Sequence, residues 1–307
     1  MMLDEAISRA CSTVGVIPPK GRIAPRKWVA ADTAGKNGKG DGRIIYDDDR
    51  VTCVNWQTGD KATVWLKEER TVEDKRRYAQ QRRKQDAEDR ERAEQTAAVA
   101  GKIIASSVPG SHPYLVRKGF PEERALVAGA VDVRGIGGAY LVPDGEVAAL
   151  VVPARIGGRL TSVQLIWADG TKKFLYGGDM GGAVHRLARG RDTWLCEGYA
   201  TGLSLRLALE GLNRRDTVLV CFSAANIAKV AAAVRGRCFI AADNDPPPQA
   251  KPDQFGGLGA GEYFARKGGV PYLMPEATGM DINDLHQQAG IFAVQRLITG
   301  LVRGVPP

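Results

Sequence analysis

The chain has 307 residues, 44% hydrophobic and 25% charged, which gives room for two domains and a sizeable core and sets it apart from disordered or fibrous sequences. Its 43 Lys and Arg against 35 Asp and Glu leave a formal charge of +8, a balance that suits polyanionic partners without selecting one. No apolar run approaches the roughly 20 residues that cross a bilayer, and the N-terminus has no apolar signal-peptide core, so a cytoplasmic protein with no membrane partner is expected.

Residues 1–66 read as a small N-terminal β-rich region. A helix is expected over 3–14, then Pro18-Pro19, then short strands over 28–30, 42–46, 51–56 and 63–66. The basic, glycine-rich 35–42 lacks the Gly-Lys-Ser/Thr ending of a P-loop and opens no helix, so a hairpin loop is expected there. Residues 67–96 are densely charged, nearly free of large apolar side chains and without Gly or Pro. They read as a solvated helical linker supported by pairs such as Glu73 with Arg77 and Asp86 with Arg90. Lys75-Arg76-Arg77 and Arg82-Arg83-Lys84 leave open a second use, contact with a nucleic-acid backbone.

From residue 97 the texture changes. Val108-Pro-Gly-Ser-His-Pro-Tyr114 followed by Arg117-Lys118-Gly119-Phe120 marks a domain entrance, and strands over 126–133, 140–142, 148–154, 160–166 and 173–176 with glycine turns indicate a basic, β-rich subdomain over 97–191. Arg155, Arg159, Lys172 and Lys173 stand on or between these strands. They are either cations that steer phosphate or surface charges of a small sheet.

Residues 192–290 alternate strand and helix. Thr193 to Cys196, Thr217 to Phe222 and Cys238 to Ala242 are apolar runs without clean alternation, the pattern of parallel strands covered on both faces. Helical periodicity fills the stretches between them. Glu197 and the pair Asp243 and Asp245 each stand just past such a strand, where ligands of open parallel sheets gather, so the three are expected to converge. Clustered carboxylates repel unless protonated or bound to a cation, and an all-oxygen set favours Mg2+ or Mn2+. Pro246 to Pro252 reads as a stiff exposed loop beside this site, and a strand over 270–274 follows. Asp281-Ile-Asn-Asp284 comes next, where Asp281 or Asp284 binds a second metal or caps the following helix. Asn226 and Lys229, after Ser223, either meet a nucleotide phosphate or belong to an ordinary helix start. An apolar-periodic C-terminal helix closes the chain over 291–307.

The ordered set Glu197-Gly198, Asp243-Asn244-Asp245 and Asp281-Ile-Asn-Asp284-Leu285 resembles the TOPRIM domain of bacterial-type primases, topoisomerases and some nucleases. His112-Pro-Tyr114 with Arg117-Lys118-Gly119, Leu150-Val-Val-Pro153, Leu160-Thr-Ser-Val-Gln164 and Gly170-Thr-Lys172-Lys173-Phe174-Leu175 are similar to the subdomain that precedes TOPRIM in plasmid and phage primases. The resemblance implies an α/β fold: a Rossmann-like parallel sheet preceded by a smaller, mixed, β-rich basic subdomain and the small N-terminal region.

It also implies a DNA primase, a nucleotidyltransferase that makes short RNA primers on a single-stranded DNA template from nucleoside triphosphates for a phage, plasmid or other mobile element. Asp243 and Asp245 would hold metal, Asp281 or Asp284 would complete a second site, and Glu197 would bind metal or assist proton transfer. Arg155, Arg159, Lys172, Lys173, Asn226 and Lys229 would meet nucleotide or template. Two departures stand out. Cys11, Cys53, Cys196, Cys221 and Cys238 form no Cys-x-x-Cys and His112, His185 and His286 are scattered, so no zinc ribbon is expected. No Walker A motif occurs, so unwinding would fall to a separate helicase. The alternatives are a metal-dependent TOPRIM nuclease and a non-catalytic module that binds nucleic acid or modulates replication.

Overall fold

The computed structural model describes residues 1–34, 40–47, 49–66, 72–249 and 252–304. The expected loop over 35–42 and the start of the charged segment at 67–71 fall largely outside them, as does part of the proline loop. So does the expected pair of Glu73 with Arg77, whose side chains are not described. The chain divides into two compact units: Met1–Arg83 with Asp245–Tyr263, and Lys84–Asn244 with the residues from Phe264 onward.

In the first unit, helix α1 (Leu3–Thr13) lies on a four-stranded antiparallel sheet of β1 (Val29–Ala31), β2 (Gly42–Tyr46), β3 (Arg50–Asn55) and β4 (Lys61–Trp65), in that order. Asp4 and Glu5 stand in the helix's first turn, where its dipole favours negative charge. Ala6, Ala10 and Cys11 recur at helical spacing and pack against Ala31, Ile44, Val51 and Cys53. Strand alternation therefore turns Arg43, Ile45, Thr52, Val54, Lys61, Thr63 and Trp65 to the opposite face.

Helix α2 (Val72–Ser106) is longer than the expected linker. Its last turns, unlike its charged first part, bury Ala100 and Ile103 in a core. Then come β5 (Val108–Gly110), α3 (Pro113–Arg117), β6 (Ala125–Gly129), α4 (Ala130–Gly137) and a 3-10 turn over Ala139–Leu141. The stretch expected as strand over 126–133 thus ends at Gly129, and 140–142 does not form a strand. Beyond Gly129, Val133 is buried while Val131 is 85% exposed and Asp132 sits in the helix's first turn, a pattern that serves a helix face and not a pleat.

Strands β7 (Ala148–Ile156), β8 (Arg159–Trp167) and β9 (Lys172–Phe174) complete an antiparallel sheet of order β5-β6-β7-β8-β9. Gly157 and Gly158, at φ of +57° and +87°, make the two-residue turn that joins β7 to β8, a conformation requiring positive φ at both positions. This hairpin is buried on both faces. Ala149, Val151, Val163, Leu165 and Trp167 pack with α2 and α4, and Leu150, Val152, Ala154 and Ile166 pack toward the second sheet.

The second sheet is built from β10 (His185–Ala188), β11 (Thr193–Cys196), α5 (Tyr199–Gly211), β12 (Thr217–Val220), α6 (Ala224–Ala231), β13 (Cys238–Ala241), α7 (Ala260–Lys267) and β14 (Tyr272–Leu273), with α8 (Ile282–Ala289) and α9 (Ile291–Arg303) following. Its strand order is β10-β12-β11-β13-β14, parallel throughout except for β10, an antiparallel edge that the sequence does not announce. Alternate residues feed two cores. Trp194, Cys196, Val218, Val220 and Phe239 pack with α5, α8 and α9, while Leu195, Cys221 and Ile240 pack with α6 and α7. This two-sided burial produces the continuous apolar runs.

At the amino ends of the strands, Arg214 donates to Asp192 and Asp216 at 2.8 Å each, and the Trp194 indole N–H donates to Asp216 at 3.1 Å. Asp192 and Asp216 are 5% and 6% exposed; Arg214 meets both, and Arg237 stands 4.0 Å from Asp192 as well. Arg214→Ala, which takes the guanidinium from Asp216 and leaves Asp192 only the longer Arg237 contact, is expected to lower unfolding free energy by about 3 kcal/mol. Urea denaturation at pH 7 reads the change, and adding Asp216→Asn should recover part of the loss.

Candidate active site

The carboxyl ends of β11 and β13 carry Glu197 and Asp243. The Phe222 N–H donates to the Glu197 carbonyl at 3.0 Å, which ties the end of β12 to that of β11. Phe222 holds φ at +69°, an unfavourable conformation for a bulky residue, and packs edge-on against Phe174 at 6.0 Å. Past β13, the Asn244 side-chain amide donates to the Pro275 and Glu276 carbonyls at 2.9 and 3.1 Å, and its backbone N–H donates to Met280 at 2.9 Å. These bonds fold the 275–280 segment back so that Asp281 arrives at the same edge.

Electrostatics report the convergence. Burial pushes the Cys196 thiol well above the ordinary thiol range, and the charges of Cys221, Asp243, Asp281 and Glu197 push it the same way. Asp281 also acts on Tyr114, whose hydroxyl is raised first by burial and then by that carboxylate.

Beside them lies a cavity of about 320 Å3, lined in part by Tyr114, Arg117, Lys118, Lys172, Thr201 and Asp281. Lys172 and Phe174 share a face of β9, turned toward the parallel sheet, and the Lys172 ammonium stands 3.9 Å from where a Cβ on Gly198 would lie. Gly198 precedes α5 and gives it no side-chain cap, so the first turn of that helix opens beside the cavity. Helix α3 is fastened by Asn283, whose buried amide donates to the Lys118 carbonyl at 2.9 Å and to the Ser204 hydroxyl at 3.1 Å. Gln287 donates to the Arg117 carbonyl at 2.7 Å.

Residues 192–291 match the Toprim domain model. A solved structure, the primase fragment of the bacteriophage T7 primase-helicase protein, is similar at 16% identity and a TM-score of 0.38, over 61% of this chain and 69% of that one. Toprim domains generally bind Mg2+ through acidic residues. Among the described residues no three Asp, Glu, His or Cys side chains stand grouped as a ready metal cage. The donor set still fits the ion, because Mg2+ is commonly held by one or two carboxylates with water and substrate phosphate completing its shell. Glu197, Asp243 and Asp281 are the residues of the Toprim domain that this arrangement offers.

Asp281, which lines the cavity, also forms a capping box with Asp284: the Asp284 N–H donates to Asp281 at 2.8 Å and the Asp281 N–H donates to Asp284 at 3.2 Å. Asp284 also meets Lys118 at 3.4 Å. Asp245 begins the segment that groups with the N-terminal unit, and its carboxylate accepts the Gly261 N–H at 3.3 Å. Lys173 points to the face of β9 opposite Lys172. Arg155 and Arg159 stand at the hairpin turn, and seven residues of β8 separate Arg159 from the partner of Lys172, about 23 Å along the strand.

Asn226 is committed to structure. Its amide donates to Ala183 and Cys221 at 2.8 Å each, and its oxygen accepts the Gly182 N–H at 2.7 Å. Lys229 lies in the last turn of α6, against Gly181. Conversely, Tyr114, Arg117 and Lys118 line the cavity, and Asn244 and Asn283 position its walls. The basic pair beside Tyr114 was the one visible signal of them.

His185 packs against Tyr199 and donates from Nδ1 to the Pro153 carbonyl at 3.1 Å. Burial and the nearby Arg155 charge lower its pKa from 6.5 to about 4, against the opposing effect of that hydrogen bond. Its folded pKa lies below the unfolded one, so its contribution is complete above pH 6.5 and is lost as pH falls toward 4. Over that window the chain is expected to lose about 3 kcal/mol more stability than a His185→Gln variant, as read by denaturation at stepped pH.

Proposed function

We propose that the chain is a DNA primase of the TOPRIM type, making short RNA primers on single-stranded DNA by two-metal nucleotidyl transfer for a phage, plasmid or other mobile element. The observation that supports this reading is the match of residues 192–291 to the Toprim domain, with Glu197 and Asp243 just past the ends of adjacent parallel strands and Asp281 lining a cavity with Arg117, Lys118 and Lys172. Magnesium held by those carboxylates would activate the primer 3′-hydroxyl and stabilise the leaving pyrophosphate.

The chain's own groups position and neutralise. Lys172, Arg117 and Lys118 place positive charge where a triphosphate carries its negative charge, and the open first turn of α5 adds backbone donors. Glu197, on the strand end tied to Phe222, is held to orient the attacking hydroxyl and to share in moving its proton. Asn244 and Asn283 fix the geometry from outside. In this reading the protein acts in the cytoplasm on single-stranded template and nucleoside triphosphates, beside a separate helicase.

The test incubates the purified chain with single-stranded DNA, Mg2+ or Mn2+ and labelled ribonucleotides, with Asp243→Ala in parallel. Short labelled products that fall by at least about 100-fold in the variant are expected, the scale on which single groups that stabilise transition-state charge act. Asp245→Ala, assayed alongside, tells whether the role that the resemblance gives this residue is exercised. Shortened DNA without synthesis would assign a nuclease, and binding without either product would assign a non-catalytic module.

A further inference from the structure

The outward face of the N-terminal sheet carries a surface for which nucleotidyl transfer has no use. Three of the five tryptophans lie on it. Trp28 precedes Val29, which points to the α1 side, and Trp56 follows Asn55, whose amide donates to the Val14 carbonyl on that side, so both indoles face outward. They are 49% and 52% exposed. Trp65 ends β4 on the same face.

Two of these rings carry a cation. The Arg43 guanidinium lies 4.0 Å above the Trp56 ring, fixed by donation to the Gly40 and Gly42 carbonyls, and that of Arg50 lies 5.6 Å from the Trp65 ring. Lys61 adds an exposed ammonium at the start of β4. The outward strand positions are Ala30, Arg43, Ile45, Arg50, Thr52, Val54, Lys61, Thr63 and Trp65, and none is acidic. Carboxylates stand at the strand ends: Asp47 pairs with Arg50 at 3.2 Å, Asp41 accepts from Gln57 at 3.1 Å, and Asp49 and Asp60 precede Arg50 and Lys61 in the chain. From Arg50, the partner of Trp65, to Trp56 is six residues of β3, about 20 Å.

Aromatic rings, with Trp28 and Trp56 exposed and Trp65 partly buried, interleaved with cations on an antiparallel sheet suit an unpaired nucleic-acid strand. Bases stack on the rings, and phosphates meet the charges. Cations without a carboxylate among the outward strand positions favour a polyanion over an apolar partner. We propose that this face binds single-stranded nucleic acid, with Trp56 and Trp65 as stacking platforms and Arg43, Arg50 and Lys61 as backbone contacts. The inference is independent of the catalytic reading, since it needs neither metal nor nucleotide.

The remaining two tryptophans, Trp167 and Trp194, are fully buried, so a change of tryptophan emission on binding reports chiefly on this face. The full chain, in EDTA and without nucleotides, is titrated with one short sequence as single-stranded DNA, as single-stranded RNA and as duplex, following both tryptophan emission and the anisotropy of a labelled strand. Quenching by a single strand is expected, with affinity roughly 5- to 150-fold weaker in Trp56→Ala and Trp65→Ala and largely kept in Trp56→Phe. Lys61→Gln, an exposed change that leaves the core intact, should reduce the slope of log affinity on log salt by about 0.7.

The tighter of the two single strands identifies the source. Should the alanine variants fail to fold, Trp56→Phe and Lys61→Gln still decide. Absence of binding, binding without any emission change and with equal affinity in the variants, or duplex bound as tightly as single strand would each overturn the proposal.

Discussion

The carboxyl-end edge of the parallel sheet is the place to which three segments of the larger unit bring acidic side chains: Glu197 past β11, Asp243 past β13 and Asp281 at the start of α8. Glu197 follows a strand whose end is bonded to Phe222, Asp243 follows a buried strand, and Asp281 is brought round by Asn244. Opposite charge comes from the other sheet through Lys172 and from α3 through Arg117 and Lys118. The cavity is thus lined both by residues that match the Toprim domain and by the chain before them, and Asn283 fastens the end of α3 beside it.

The sheet separates two electrostatic tasks by end. At the amino ends of its strands, Arg214 compensates Asp192 and Asp216 within the protein, where the charges are nearly dry and serve cohesion. At the carboxyl ends, Asp281 lines a cavity, open to solvent, together with Arg117, Lys118 and Lys172. The same residue types thus stand at opposite ends of the same sheet in two different settings, one dry and one open.

Strands β11, β12 and β13 were legible because two-sided burial writes uninterrupted apolar runs between polar ends, and a carboxylate just past such a run has few other reasons to be there. The cavity's cations were less legible. Arg117 and Lys118 lie some 80 residues before Glu197, and only the packing of α3 against α8 brings them in. Lys172 and Lys173 are adjacent and look equivalent, yet the pleat sends them to opposite faces, and only the pairing of β9 with β8 says which faces the site. Edge strand β10 and helix α4 are short, with mixed burial, so local pattern carries little of their identity. Asn226 looked available at the start of a helix, but three hydrogen bonds occupy it.

The β7–β8 hairpin gives one face to each of two cores, and this has a consequence for modularity. Leu150, Val152, Ala154 and Ile166 pack with residues that follow Asp192, so the limits at which the Toprim domain is matched, 192 and 291, run through a hydrophobic core and not around one. A piece cut at those limits would expose the apolar surface that the hairpin covers. In this chain the antiparallel sheet and the matched domain therefore share one hydrophobic core, and a cleavage between them would have to solvate both sides of it.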